Sequence, residues 1–402
     1  MINLELPKKF GPLVGQAHQV ATEVFRPISR QYDRDEHARP KELDMLAALV
    51  DGMNDGADLG GAGATGVRRT TGGDGANKNG SNMSTALSVM ELCWGDVGLL
   101  LSMPRQGLGN AAIASVADDE QLKRFDGKWA AMAITEPEAG SDSAAIRTTA
   151  TLDGDHYVLN GEKIYVTAGE RAELVVVWAT LDKSLGKKAI KSFVVERSNP
   201  GLKLVRLEHK LGIRASDTAA FVLDDCRVPA SDLLGDPEIR TEGGFGGAMQ
   251  TFDNTRPLVA SMAVGLTRAC LDFTRAALEK AGHGQDWDAP IAAQSYASAR
   301  LVQMEADYEA ALLLTLRAAW MADNGKPNSM EASMAKAKAG RTCVDVALSC
   351  IELVGVDGYA ETELLEKWAR DSKILDIFEG TQQIQLLVVA RRLLGLTSGQ
   401  LK

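Results

Sequence analysis

Residues 367–394 read KWARDSKILDIFEGTQQIQLLVVARRLL. Two apolar helical patterns fill this stretch, one ending near Phe378 and one running from about Gln383 to Leu394. Between them stand Glu379, Gly380 and Thr381. A carboxylate with glycine beside it lies on an irregular link, where another molecule approaches the backbone closely. Thr381 suits the cap of the second helix, whose unpaired amides and positive dipole end would face whatever lies beside Glu379. A base, an open approach and an anion-friendly helix start, all so close together, describe a reaction site. Taken alone, the same residues read first as an acidic helix–helix link closed by a glycine.

Working outward, the residues before this stretch predict long helices at 247–252, 257–281, 289–324 and 328–354. Several long amphipathic helices at the end of a chain argue for a bundle. From 128 to 228 the pattern changes to strands, at 156–159, 163–167, 174–179, 192–196, 203–207 and 219–223. Asn160-Gly161 between the first two predicts a hairpin, because a type I′ turn needs positive φ at both positions. Short strands at this spacing suggest a small antiparallel barrel or sandwich. Residues 1–125 read as helical. The segment 15–32 puts Val20, Ala21, Val24, Phe25 and Ile28 on one face, with a kink at Pro27, and 41–50 repeats the pattern with Leu43, Met45, Leu46 and Leu49. Further helices are expected at 83–93 and 107–116. The glycine-rich segment 51–81 contains a literal GxGxxG at 61–66, but no strand pattern precedes it and no helix pattern follows. It lacks the flanks of a dinucleotide fingerprint and reads as a long loop, near a ligand mouth. The order helical, β, helical predicts a mostly α fold with a central β-domain, divided into 1–127, 128–240 and 241–402.

The chain has 402 residues, 45% hydrophobic and 24% charged, long enough for two or three domains or one multilayer unit. With 44 Lys+Arg against 54 Asp+Glu the net charge is -10, so no basic excess is present to neutralise nucleic-acid phosphates. Cys93, Cys226, Cys270, Cys343 and Cys350 are scattered, odd in number and form no CxxC, as buried thiols in a reducing compartment would. The five histidines are dispersed along the chain, and no metal site is expected. The first residues, MINLELPKKFGPL, lack the apolar region of a signal peptide, and no apolar run approaches the ~20 residues that span a bilayer. A cytoplasmic location is expected.

The middle of the chain carries a more specific signal. Residues 132–142, MAITEPEAGSD, resemble the TEPxAGSD signature of the acyl-CoA dehydrogenase family. NGEKIYVT at 160–167 is similar to that family's NGxKxWIT, and LGIRASDT at 211–218 runs into DCRVP at 225–229. Asp253-Asn254-Thr255-Arg256 resembles its DxxR, and IFEGT at 377–381 its IYEGT. The five signatures fall in the family's order over about 128–394, and the N-terminal helices fit more loosely. The resemblance implies an N-terminal α-helical domain, a middle β-barrel or sandwich and a C-terminal four-helix bundle. It implies FAD-dependent α,β-dehydrogenation of an acyl-CoA thioester to the trans-2-enoyl-CoA, with hydride transfer to flavin N5 and Glu379 as α-proton base.

That chemistry agrees with the residue types. The α-proton is weakly acidic, so the thioester carbonyl must be polarised; the resemblance assigns this to the Glu379 backbone N–H and a flavin ribityl hydroxyl, acting as an oxyanion hole. An apolar acyl chain would desolvate the carboxylate and raise its basicity. Some members carry the base on the helix that here holds Asn254 and Thr255, neither of which serves as one. By resemblance, Ile134, Thr135, Gly140, Ser141, Tyr165 and Thr167 hold the flavin from the β-domain, and Thr381 and Gln383 from the C-terminal domain. Ser141, Asp253, Arg256 and Gly380 lie on the substrate side, although Arg256 also reads as a buried structural ion pair. Tyr165 replaces the family's tryptophan and keeps an aromatic face. Leu101 and Met103 read either as pocket floor or as core.

Two segments depart from the family. Its R-x-x-F-G and Q-x-x-G-G segments complete the FAD adenosine site of a neighbouring subunit. Here the first aligns with Lys280–His283–Gly284 and the second with Glu352–Gly355–Val356, which replace Arg by Lys, Phe by His, Gln by Glu and Gly by Val. A carboxylate and a branched side chain beside a pyrophosphate repel it and block backbone approach. Such a chain either has drifted within a homotetramer or works with a related chain in an α2β2 complex. The expected electron acceptor is electron transfer flavoprotein. A non-catalytic or half-site subunit and an acyl-CoA oxidase on the same fold remain the alternatives.

Overall fold

The structure, a computed structural model, describes residues 7–54, 80–104, 108–239, 246–286, 288–397 and 400, with only the backbone described in 48–54, 246–254 and at 291. The GxGxxG at 61–66 lies outside the described residues. Helix α1 (Gly11–Val20) continues through a π-helical turn at Ala21–Phe25 into α2 (Arg26–Arg34). The irregularity expected at Pro27 thus falls one turn earlier, where the Arg26 N–H reaches back to the Ala21 carbonyl. A proline lacks the N–H for the preceding turn and crowds its carbonyl, and the widened turn absorbs both. Then follow α3 (Lys41–Asn54), α4 (Ser81–Gly95), α5 (Val97–Ser102), α6 (Leu108–Val116) and α7 (Asp119–Phe125). Asp118 and Gln121 start α7 with a reciprocal capping box.

The strands are β1 (Ala130–Ala133), β2 (Thr149–Asp153), β3 (His156–Thr167), β4 (Leu174–Thr180), β5 (Ile190–Glu196), β6 (Leu202–Leu207), β7 (Thr218–Pro229) and β8 (Leu233–Leu234). They form one mixed sheet in the order β6-β7-β3-β2-β4-β5-β8, with β1 beside β4. The sheet is not purely antiparallel as expected, because β1 and β2 each run parallel to β4. A single residue pair, Thr149 with Thr180, joins β2 to β4, and the sheet folds over there. Tyr157, Leu159 and Phe221 from one half then pack against Val175, Val177 and Phe193 from the other, as in a sandwich.

Asn160-Gly161 is not a hairpin turn. β3 runs straight through it, and the β2–β3 hairpin turns instead at Gly154-Asp155. Gly161 has φ 154 and sits at a bulge in the β3–β7 ladder, where a Cβ would lie 2.4 Å from Thr148 Oγ1 and 2.8 Å from its Cα. Positive φ serves both a type I′ turn and a bulge, so the dipeptide alone does not distinguish them.

The C-terminal part holds α8 (Gly246–Lys280), α9 (Tyr296–Asp323), α10 (Ser329–Val354), α11 (Val356–Tyr359), α12 (Leu365–Leu375) and α13 (Gln382–Leu394). α10 packs on α8, α9, α12 and α13. α8 is one helix rather than two, and Pro257 lies inside it. Thr255, Arg256, Val259 and Ala260 around the proline are all buried, so tertiary packing overrides the local break. α9 starts at Tyr296, seven residues later than periodicity predicts, capped by Ser295.

The helices at the two ends of the chain share one apolar core. Val89, Leu99 and Leu100 lie in the same cluster as Val264, Leu271, Cys343 and Trp368. Met103 belongs to this core and Leu101 packs against it. A third cluster lays Ala112, Ile113 and Phe125 of the N-terminal helices on the outer face of β1, β4 and β5. The five cysteines are free and buried. Among the described residues no helix is long and apolar enough to cross a membrane.

Candidate active site

α12 ends at Leu375 and α13 begins at Gln382, and the link between them carries Glu379. Glu379 has φ 58 and Gly380 φ 90, so two successive residues stand in the left-handed region. For a non-glycine residue this costs on the order of 1–2 kcal/mol and persists only where neighbours hold it. Here they do. Gln385 Nε2 donates to the Glu379 carbonyl at 3.0 Å and to the Gly380 carbonyl at 3.1 Å. Lys336 Nζ, on α10, donates to the Gly380 carbonyl at 2.8 Å. Thr381 caps α13 by accepting from the Ile384 N–H, as its position in the sequence predicts.

The Glu379 carboxylate is partly buried between α8 and α10. Thr255 Oγ1 donates to Glu379 Oε2 at 3.0 Å. Burial pushes the carboxyl above its ordinary value, against the Thr255 hydrogen bond and the charges of Arg256 and Lys336. Burial likewise drives Lys336 down to about 8, opposed by Asp376 and Glu379 and reinforced by Arg256. Arg256 is 4% exposed and reaches Ser333 Oγ at 3.5 Å. The site is therefore a carboxylate of raised basicity facing two buried cations, with one oxygen held by a hydroxyl. That arrangement suits proton abstraction from a weak carbon acid.

A second group of residues lies on the β-domain. Ile134 and Thr135 follow β1, and the turn after them closes through Glu136 N–H to Ala139 O at 3.2 Å and Ala139 N–H to Glu136 O at 3.1 Å. The turn rests on a buried ion pair. Lys163 Nζ lies 2.7 Å from Glu136 Oε1 and 3.2 Å from the Ile134 carbonyl, and the other Glu136 oxygen accepts from Arg147 N–H at 2.6 Å. Ile164 N–H bonds the Thr135 carbonyl at 2.9 Å, tying turn to strand. Next along the strand, the β3–β7 register shifts, Tyr165 takes φ 57, and the residue is 63% exposed. A strained, outward-facing aromatic on a rigid strand is an unusual expense unless a planar partner covers it. Gly140 and Ser141 are exposed at the end of the turn, and nothing lies within 4 Å of a Cβ built on Gly140. Thr167 ends β3 opposite Thr218. These features fit a flavin ring: an aromatic face, an open glycine and hydroxyl groups at one sheet end.

The segment 211–213 joins the two groups. Ile213 N–H donates to Asp371 Oδ1 on α12 at 2.5 Å, and Arg370 Nη1 donates to the Leu211 carbonyl at 2.9 Å. Gly212 passes so close that a Cβ would stand 2.5 Å from the Arg370 carbonyl. Behind it, Lys367 bridges Asp371 Oδ2 at 2.5 Å and Asp96 Oδ2 at 2.7 Å, and Ser29 donates to Asp96. This buried chain of contacts fastens α12, and hence the Glu379 link, to the N-terminal helices and the β-domain.

The residues singled out by sequence thus fall into two sets: Glu379, Gly380, Thr381 and Arg256 in one, and Ile134, Thr135, Gly140, Ser141, Tyr165 and Thr167 in the other. Gln383 is exposed in the first turn of α13. The side chain of Asp253 lies outside the described residues. Sequence reasoning missed Lys336, Gln385 and the hydrogen bond from Thr255. A signal existed for Lys336, which falls on the same helical stripe as buried Ala332, Ala335, Ala339 and Cys343. The histidines are less dispersed in space than along the chain, since His37, His209 and Glu36 have ligand atoms within 4.8 Å. Glu36 there already accepts from His209, the Lys210 N–H and Arg214. Lys280, His283, Glu352 and Val356 are all exposed, Val356 at 85%.

Comparison with known proteins agrees with this geometry. The family model for the acyl-CoA dehydrogenase middle domain matches residues 131–226, and that for the acyl-CoA dehydrogenase C-terminal domain matches 242–394. The chain is 34% identical over 402 residues to the mitochondrial short-chain specific acyl-CoA dehydrogenase of Mus musculus, covering 98% of this chain and 92% of that one. Butyryl-CoA dehydrogenase from Megasphaera elsdenii superposes with TM-score 0.81 at 29% identity, covering 98% of this chain and all of the other. A glutaryl-coenzyme A dehydrogenase in complex with glutaryl-CoA superposes with TM-score 0.83 at 27% identity, covering 98% of each chain.

Proposed function

Because the chain belongs to the acyl-CoA dehydrogenase family, FAD-dependent oxidoreductases that act on acyl-CoA thioesters, we propose that it oxidises an acyl-CoA to its trans-2-enoyl-CoA with Glu379 as the base. The observation that carries this reading is the Glu379 carboxylate itself: basic through burial, and held at Oε2 by Thr255. With that oxygen engaged, Oε1 is left to accept the α-proton. The Glu379 N–H serves as a donor to the thioester oxygen, stabilising the charge that develops as the proton leaves. Arg256 and Lys336 favour the ionised carboxylate against the burial that raises it.

FAD, when bound, supplies the acceptor for the hydride leaving the β-carbon. Ile134, Thr135, Gly140, Ser141, Tyr165 and Thr167 would hold its ring from the β-domain, and Thr381 and Gln383 from the start of α13. We assign Ser141, Asp253, Arg256 and Gly380 to substrate binding. The electrons pass on to electron transfer flavoprotein.

The test is anaerobic turnover of a panel of CoA thioesters with an artificial electron acceptor, in the wild type and in Glu379→Gln. The amide keeps shape and FAD but accepts no proton, so turnover falls by roughly 10²–10⁴-fold. Near-normal turnover in that variant removes Glu379 from the role. The same wild-type assay in air reads oxygen: peroxide formed in step with turnover would make the enzyme an oxidase.

The exposure of Lys280, His283, Glu352 and Val356 favours a second element of the proposal. These side chains face outward, where a neighbouring chain's FAD would meet an acid and a branched residue. We infer that this chain pairs with a related but different chain that completes its FAD site, without lending a complete site in return.

A further inference from the structure

Lys336 is 1% exposed, on an alanine-rich face of α10 that also buries Ser333. Burying an ammonium carries a large desolvation penalty, which a carboxylate partner at contact distance normally offsets. Lys336 does not take that arrangement: the hydrogen bond from its Nζ goes to a main-chain carbonyl, that of Gly380. That carbonyl belongs to the residue after Glu379, and both residues stand at positive φ. Gln385, the buried residue of α13, donates to the same carbonyl and to the one before it. Two donors from two different helices therefore converge on the least favourable piece of backbone around the carboxylate.

We propose that Lys336 is the positioning residue of this site: its ammonium, seated on the Gly380 carbonyl, clamps the left-handed Glu379–Gly380 pair in the conformation that presents the carboxylate to substrate. This rests on the reading of Glu379 as the base. The clamp is electrostatic as well as geometric. Lys336 faces Asp376 from the end of α12, Glu379 from the link and Arg256 from α8. A positive charge behind the link favours the ionised carboxylate, so its loss moves Glu379 further up.

Three variants separate the two effects. Lys336→Met removes donor and charge; Lys336→Gln keeps a donor and removes only the charge; Glu379→Gln is the reference. Each is purified with its flavin, and turnover is taken per bound flavin. A misplacement of about 1 Å at a reacting group costs on the order of 10²-fold in rate, so Lys336→Met is expected to lose roughly 10- to 100-fold in kcat with KM changed less than about threefold. The acid limb of its kcat/KM profile moves to higher pH. Lys336→Gln regains most of kcat but keeps the displaced limb. The second readout needs no turnover. In the infrared difference between each Lys336 background and the same background carrying Glu379→Gln, the protonated carboxyl band of residue 379 has its midpoint at higher pH when the lysine is gone.

Wild-type kcat per flavin with an unmoved infrared midpoint in Lys336→Met overturns the proposal. So does a variant that loses flavin or thermal stability while kcat per flavin and midpoint stay the same, since that is a purely structural lysine. If Lys336→Met does not fold, the midpoint and acid limb in Lys336→Gln decide alone. Failure of the base assignment looks different, because Glu379→Gln would then remain active while the infrared midpoint still responded to Lys336.

Discussion

At residue 379 function and stability pull in opposite directions. Burial raises the carboxyl, so the folded protein prefers it protonated while the unfolded chain ionises it at the ordinary value. A raised acid contributes stability that is fully present below the unfolded value and is lost as pH rises through the folded one. Once ionised, the wild type is therefore the less stable partner of its own amide. Glu379→Gln should melt roughly 1–2 °C above wild type at pH 7.5, with the difference closing as pH falls toward 4.5. A melting difference that grows on acidification contradicts this sign. Glu379 and Thr381 were legible in the sequence because both stand where helical periodicity stops. Lys336 left a signal, a cation on a stripe of buried residues, but neither its role nor that of Gln385 was legible. Their partners are main-chain carbonyls, for Lys336 one lying 44 residues away, and any residue type supplies a carbonyl.

Among the elements, β3 connects fold to site. Gly161 lets the strand pass over Thr148, whose hydroxyl and N–H both bind Glu136, the acid that anchors Lys163 under the Thr135 turn. Gly161→Ala adds a Cβ against Thr148 in a conformation that side chains avoid, and should cost roughly 2–4 kcal/mol. Urea unfolding measures the loss, and flavin content should fall with it because the same turn carries Ile134 and Thr135. Undiminished stability and flavin would mean that the bulge relaxes freely. β3 to β7 were legible from alternation or β-branched runs, whereas β2, reading TATLD, and the two-residue β8 were not expected. β1, reading AAMA, was not, because a short strand almost wholly buried shows no alternation. Nor does a sequence display which neighbours run parallel. The long helices were legible in place but not in number, because the break predicted at Pro257 gave way to packing that local propensity does not contain.

At the scale of the molecule, the order helical, β, helical was legible from the change of period, and with it the family. The shared core of the two helical ends was not, since it depends on contacts between residues far apart in the chain. Pairing with a different chain fixes how much flavin the assembly holds. Purified alone, this chain should hold well under one FAD per subunit, and co-purified with its partner chain the complex should hold about half the flavin of a homotetramer. A stable, active homotetramer with one FAD per chain refutes it. The shared core has a further consequence, for the order of events on the ribosome. The β-domain core is drawn from one unbroken stretch, Trp129 to Leu233, and can close as soon as that stretch emerges. Val89, Leu99 and Leu100 must wait for Val264, Leu271 and finally Trp368. Domains usually fold from the N-terminus onward during synthesis, but here the first helices made are among the last to be covered. Between the emergence of Leu233 and that of Trp368 the nascent chain carries a folded middle and an unsheltered leading end, and that end is where a chaperone would be needed.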